Sequence, residues 1–230
     1  VSGRPALALR RLATTLTKEL PHPYETPIWV QWSLKKRWPL QRALQCSLEI
    51  AQALSYLHDE PISGASVLHR DLKPDNIGFM DDGRTALFDF GCARLWPHAV
   101  PRPRPEEDLE SRCLTGNTGS PRYMAPEVFL CQPYNSRAET HSLGMLMWHM
   151  AARARPFDEL TVEQLERRVI HKGERPPISP EWPLGLAELM QACWEPDRDR
   201  RLTATQAAQR LFSLLGAVAT ETAALTSPSN

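Results

Sequence analysis

Between Leu40 and Leu57 the apolar positions Leu40, Ala43, Leu44, Leu48, Ala51, Leu54 and Leu57 recur at intervals of three and four. That is the repeat of a helix burying one face. Pro39 stands just ahead, where a helix tolerates proline because the first N–H groups have no partner inside the helix. Leu143 to Ala152 is apolar on every side apart from His149, which predicts a central, buried helix. Thr161 to Ile170 and Leu184 to Trp194 predict two more. Ala204 to Leu215 predicts a closing helix with Ala207, Leu211, Leu214 and Leu215 on one face, and residues 216–230 are small and polar, as in a disordered tail.

Strand character is scarce. Ile77 to Met80 and Thr85 to Phe88 are short runs joined by Asp81-Asp82-Gly83, a hairpin signal. Pro5 to Leu20 is a short apolar run followed by a helical pattern, the three prolines from Pro21 to Pro27 mark a loop, and Ile28 to Lys36 is a Trp-rich stretch of ambiguous period. Pro97 to Glu110 is rich in proline and mixed charge without periodicity, the composition of a segment mobile until something pins it. The fold class expected is mainly α.

Composition narrows the function classes. The 27 basic and 27 acidic residues cancel, which argues against a nucleic-acid or anionic-membrane surface. The five cysteines, at 46, 92, 113, 131 and 193, form no CxxC pair, so a reduced, cytoplasmic setting is expected rather than a disulfide framework or a zinc site. The longest apolar run is about half the length of a membrane span. The first eighteen residues hold Arg4, Arg10, Arg11 and Lys18 but no acid, a composition shared with transit peptides. His141 and His149, one on each side of the buried helix, have no Cys, His or carboxylate at ligand spacing, so a metal there is not expected.

The chemistry gathers in His69-Arg70-Asp71-Leu72-Lys73-Pro74-Asp75-Asn76 and, a hairpin later, Asp89-Phe90-Gly91. The hairpin would return Asp89 toward Asn76, so that an amide oxygen and a carboxylate share a hard cation. With Thr118-Gly119-Ser120-Pro121-Arg122-Tyr123-Met124-Ala125-Pro126-Glu127 downstream, the motifs HRDLKPDN, DFG and APE follow in the order and spacing of the eukaryotic protein kinases, which the chain resembles from about Leu9 to about Leu215. The YMAPE string and the Cys193-Trp194 segment are similar to the tyrosine-kinase-like branch, and Lys73 to the serine/threonine type.

That resemblance implies roles. Asp71 is the base or orienting carboxylate for a substrate Ser or Thr hydroxyl, and Lys73 offsets charge on the transferring phosphate of ATP. Asn76 and Asp89 are the Mg2+ ligands. Arg70 docks a phosphate on the activation segment, 89–127, for which Ser111, Thr115 and Thr118 are candidates. Ser120 lies in the substrate floor beside Asp71, and Glu127 and Arg201 form an internal ion pair. A protein substrate follows from Trp194, Arg201 and Glu127, which small-molecule phosphotransferases lack.

The same comparison exposes departures. Before His69 the only glycines are Gly3 and Gly64, so no glycine-rich phosphate loop can be drawn, and Lys18, Lys35 and Lys36 lie too close to His69 to serve as the strand lysine. The chain is therefore expected to hold residues 1–20 as a remnant of small lobe, hinge and first large-lobe helix, 21–215 as the large lobe, and 216–230 as tail. The hinge is expected near Arg10 to Leu12, and a small lobe or partner is expected from outside this sequence. Without that lobe, the apolar surface facing it would be exposed, and a catalytically silent interaction module is the alternative to a kinase. Two smaller departures are Glu139 in place of an aspartate that caps the catalytic loop, with a methylene expected to misplace the carboxylate, and Gly78 in place of the apolar residue beneath the adenine.

Overall fold

The computed structural model describes residues 12–20, 33–34, 36–59, 61–62, 64–97, 114, 116 and 118–226. The predicted loop around Pro21 to Pro27, most of the hinge, and nearly all of Pro97 to Glu110 lie outside them, as do Ser111 and Thr115.

The element order is β1 (Thr14–Thr15), α1 (Leu16–Glu19), α2 (Leu40–Asp59), β2 (Ala65–Leu68), β3 (Ile77–Phe79), β4 (Thr85–Leu87), β5 (Arg94–Pro97), α3 (Pro126–Phe129), α4 (Arg137–Ala152), α5 (Val162–Leu165), α6 (Leu184–Cys193) and α7 (Ala204–Thr226). The protein is mainly helical, as the apolar periodicity predicts, with two small antiparallel sheets ordered β1-β3-β4 and β2-β5.

Helix α2 buries Ala43, Leu44, Leu48, Ala51 and Leu54 on the expected face, and packs on α7 and α4. Helix α4 is buried almost all round, with Leu143, Met145 and Leu146 fully enclosed. Each such side chain contributes about 1.5–3 kcal/mol on leaving water. Trp148 buries its ring and donates its Nε1–H to the Pro177 carbonyl at 2.7 Å, so the large apolar side chain leaves no unpaired polar atom. Helix α6 packs against α4 and α7, and α2 also packs on strands β2 and β4 of the two small sheets.

Local rules explain the helix starts. At Thr161 the hydroxyl accepts from Gln164 N–H at 3.3 Å while Gln164 Oε1 accepts from Thr161 N–H at 3.0 Å. Thr203 and Gln206 repeat that reciprocal pair at the start of α7, at 3.2 and 3.0 Å. The single helix expected over Thr161–Ile170 is instead a short α-helix that widens into a π-helix over Glu166–His171, with the sequence neighbours Val169 and Ile170 both buried.

Two further differences concern the ends of elements. Strand β5, absent from the pattern analysis, pairs with β2 in the register Val67↔Leu95 and Leu68↔Arg94; its signal is four residues long and too short for a period. The tail expected from residue 216 is helical to Thr226, because its Ala-rich, proline-free run favours continuation and Val218 still packs on the core.

His141 lies fully enclosed in α4, and its pKa falls well below 6.5 through burial, with the charges of Arg201 and Arg175 adding. The folded protein keeps this imidazole neutral, whereas the unfolded chain takes up a proton below about pH 6.5. Stability from this site is complete above that value and is lost as pH falls toward the folded pKa. Urea unfolding midpoints between about pH 7.5 and about pH 5.5 should therefore fall more steeply for the wild type than for His141→Leu.

Candidate active site

The site is built where β2 ends. Backbone hydrogen bonds of the β3–β4 hairpin put Ile77 opposite Leu87, and Phe88 N–H donates to the Asn76 carbonyl at 3.1 Å. The hairpin thus returns the chain beside Asn76, immediately before Asp89. Between β2 and β3 the residues His69 to Asn76 form a loop that ends in a single 3-10 turn, Pro74–Asn76.

Asp71 is the hub of that loop. Lys73 Nζ lies 2.6 Å from its Oδ2, Asn76 Nδ2 donates to its main-chain carbonyl at 2.8 Å and to Oδ2 at 3.1 Å, and Ser120 Oγ donates to Oδ1 at 3.4 Å. Burial pulls the Lys73 pKa down, but the hydrogen bond and charge of Asp71, with Asp75 and Asp89, outweigh it and hold the ammonium above its usual value. Lys73 is a fixed positive charge between a buried carboxylate and a groove that it helps to line.

The backbone beneath is strained and clamped. Arg70 has φ +70° and Asp89 φ +63°, left-handed conformations that non-glycine residues hold only under tertiary constraint. At Arg70 the constraint is Glu139: its Oε1 accepts from Arg70 N–H at 2.5 Å and its Oε2 meets His58 Nε2 at 2.7 Å. The expected misplacement of Glu139 is corrected here. The longer side chain reaches the loop amide, and His58, from the last turn of α2, holds its second oxygen. His69 is oriented from both ring nitrogens, with Asp71 N–H donating to Nδ1 at 3.3 Å and Nε2–H donating to the Phe88 carbonyl at 2.9 Å. Phe90 packs edge-on against the His69 ring, centroids 4.9 Å apart.

Asp89 is exposed and accepts from Gly91 N–H at 3.3 Å. Gly78 is packed by Leu12, whose Cδ1 would lie 2.5 Å from a Cβ at that position. The contact that glycine gives up is therefore filled from a residue 66 positions earlier, as 78 − 12 gives.

Of the activation-segment candidates, Thr118 donates to the Gly116 carbonyl at 3.3 Å, while Arg70 is buried in the wall of a small cavity with Tyr134 and Glu139. Glu127 and Arg201 meet in a two-pronged pair at 2.6 and 3.3 Å, with Arg201 fully buried. Arg201 also donates to the carbonyls of Glu195 and Arg137, both at 3.1 Å. On α4, His149 Nδ1 meets the Tyr123 hydroxyl at 2.8 Å.

The protein kinase domain family matches residues 29–213, a stretch that takes in this whole constellation. The chain belongs to the protein kinase superfamily. It is 30% identical over 162 residues to serine/threonine/tyrosine-protein kinase HT1 of Arabidopsis thaliana, covering 70% of this chain and 37% of that protein. Serine/threonine-protein kinase 12 of the same plant is 32% identical over 188 residues, 79% of this chain and 38% of its own length. Mitogen-activated protein kinase kinase kinase 7 of Bos taurus is 31% identical over 161 residues, 69% of this chain and 25% of its own. The chain thus spans well under half the length of these relatives. No helix among the described residues is long and apolar enough to cross a membrane.

Sequence reasoning singled out Asp71, Lys73, Asn76, Ser120 and Asp89 by motif. It missed His58, whose apolar-helix context masks a partner 81 residues away.

Two substitutions test the framework. Arg201→Leu leaves the Glu127 carboxylate buried without its partner and should lower unfolding free energy by about 3–5 kcal/mol, while adding Glu127→Leu restores part of the loss in urea titrations. Gly119 has φ +108°, and a Cβ there would stand 2.7 Å from the Arg70 carbonyl oxygen and 3.3 Å from Asp71 Oδ1. Gly83, at φ +83°, has nothing within 4 Å of its Cβ position. Gly119→Ala should therefore cost more than Gly83→Ala, by roughly 1–3 kcal/mol in the same assay, since only the first adds a collision to the backbone strain.

Proposed function

We propose that the protein is a serine/threonine kinase of the tyrosine-kinase-like branch, moving the γ-phosphoryl group of ATP to a Ser or Thr hydroxyl of a protein substrate with Mg2+. The observation that carries this is the convergence of Lys73, Asn76 and Ser120 on Asp71, with the hairpin returning Asp89 beside them. A scaffold has no need of that set. The relatives bearing serine/threonine kinase names support the same substrate class.

Lys73, Asn76 and Ser120 hold the Asp71 carboxylate in place, so that it accepts the proton of the acceptor hydroxyl as the hydroxyl oxygen bonds phosphorus and ADP departs. Lys73 neutralises charge growing on the transferred phosphoryl oxygens. Asn76 commits its NH2 group to Asp71, which leaves its amide oxygen for a cation. Asp89 adds an exposed carboxylate, and two such oxygens fit Mg2+, which prefers hard donors and keeps several waters. The metal supplies charge neutralisation of the phosphates when bound. Arg70 receives an activation-segment phosphate on Ser111, Thr115 or Thr118.

The described body corresponds to a kinase large lobe, with residues 1–20 as the small-lobe and hinge remnant and a small lobe or partner completing the nucleotide site. The setting proposed is cytoplasmic. A silent interaction module is the second reading, favoured by Phe90 and Leu95, exposed by 46% and 56% beside the metal loop.

Calorimetric titration with ATP separates the two. Binding should require Mg2+ and weaken roughly tenfold or more in Asp89→Asn. Binding indifferent to Mg2+, or none when a kinase small lobe is supplied, would leave the interaction module standing.

A further inference from the structure

Beside Ser120 and Lys73 a groove of about 610 Å³ runs from the catalytic loop to the turn after α4 and to α1. Its lining carries five cationic side chains, Lys18, Lys73, Arg122, Arg153 and Arg155, against a single carboxylate, Asp75. Lys73 is paired with Asp71, and Arg155 lies 3.6 Å from Asp158. Among the described residues no carboxylate forms an ion pair with Lys18, Arg122 or Arg153.

How Arg122 is held matters most. Its guanidinium donates to three main-chain carbonyls, those of Pro156, Phe157 and Leu160. Carbonyls fix its direction and leave its charge whole. Its pKa lies below the usual guanidinium value, first through burial and then through the charge of Arg155, which outweigh the opposing pull of Asp158 and Glu159. Arg153 is held the same way, its Nη1 donating to the Trp38 carbonyl at 3.5 Å. Asp75 keeps its charge while accepting from the Thr17 hydroxyl at 2.9 Å on the α1 side of the groove, so one carboxylate stands against the five cations of the lining. Exposed Val162 offers apolar contact for a peptide body. The groove is preset for negative charge and reaches Lys73 and Ser120, both of which bond the hub carboxylate.

Resting on the kinase assignment above, we infer that this groove selects protein substrates whose acceptor Ser or Thr is flanked by Asp and Glu side chains. The discrimination is electrostatic. Carboxylates meet an excess of cations, of which Arg122 and Arg153 are held in direction by main-chain carbonyls, whereas lysines at the same positions meet like charge.

Fluorescence anisotropy on the intact chain tests this with three labelled peptides that share one serine and differ only in having Glu, Gln or Lys at the flanking positions. The Glu peptide should bind about tenfold or more tightly than the Gln peptide at low ionic strength, and the gap should close as salt rises. The Lys peptide should bind weakest. Lys18→Glu with Arg155→Glu should erase the preference while circular dichroism and Mg2+-dependent ATP binding stay as in the wild type, and the single changes Lys18→Gln and Arg155→Gln should each reduce it. Equal binding of Glu and Gln peptides by the wild type, or a preference that survives the charge reversal, overturns the inference. The two proposals fail separately. Selective binding of the Glu peptide without phosphoryl transfer when a kinase small lobe is supplied sinks the kinase reading alone, and transfer to all three peptides alike under the same conditions sinks this one alone.

Discussion

A single buried carboxylate holds the site in shape. Glu139 spans the gap between the last turn of α2 and the loop after β2, taking the His58 ring on one oxygen and the Arg70 amide on the other. A carboxylate in such a place is tolerated because both its oxygens are satisfied. In return it fixes a residue at positive φ, Arg70, immediately before Asp71. Arranged around Asp71 are the ammonium of Lys73, the amide of Asn76 and the hydroxyl of Ser120.

A second constraint acts from the opposite side. The segment 118–120 passes so close to the Arg70 carbonyl that only glycine fits at 119. The loop is thus held between a helix carboxylate below and an activation-segment backbone above. Farther out, Arg201 and Glu127 anchor the end of that segment to the helical core. Rigid supports on three sides suit the proposed phosphoryl transfer, which depends on positioning and charge more than on covalent chemistry.

Much of this was legible in the sequence. Helices α2, α4, α6 and α7 announced themselves by apolar spacing, and the β3–β4 hairpin by its Asp-Asp-Gly turn, because periodicity and turn chemistry are local. The loop residues were legible as a motif. His58 was not, since nothing in the spacing of α2 distinguishes a histidine that meets a carboxylate on α4 from one at the surface. The substitution at Glu139 was legible as an anomaly, but the reach of its side chain depends on that same distant histidine. Leu12 against Gly78 and β5 against β2 also escaped, being pairings between separated segments with weak signals of their own. The basic groove draws its cations from four stretches of chain, and the overall charge balance of zero conceals it.

The order of the chain gives the Glu139 anchor a temporal meaning. Arg70 and its clamp are 69 residues apart, and Glu127 and Arg201 are 74 apart. On a ribosome the loop that bears the reactive groups is made well before the helix that shapes it, and the activation-segment end well before its arginine. The nascent loop has no reason to hold a left-handed residue until α4 has emerged and docked on α2. The shape of this loop therefore arrives late in synthesis, as a property of the docked helices rather than of the loop itself.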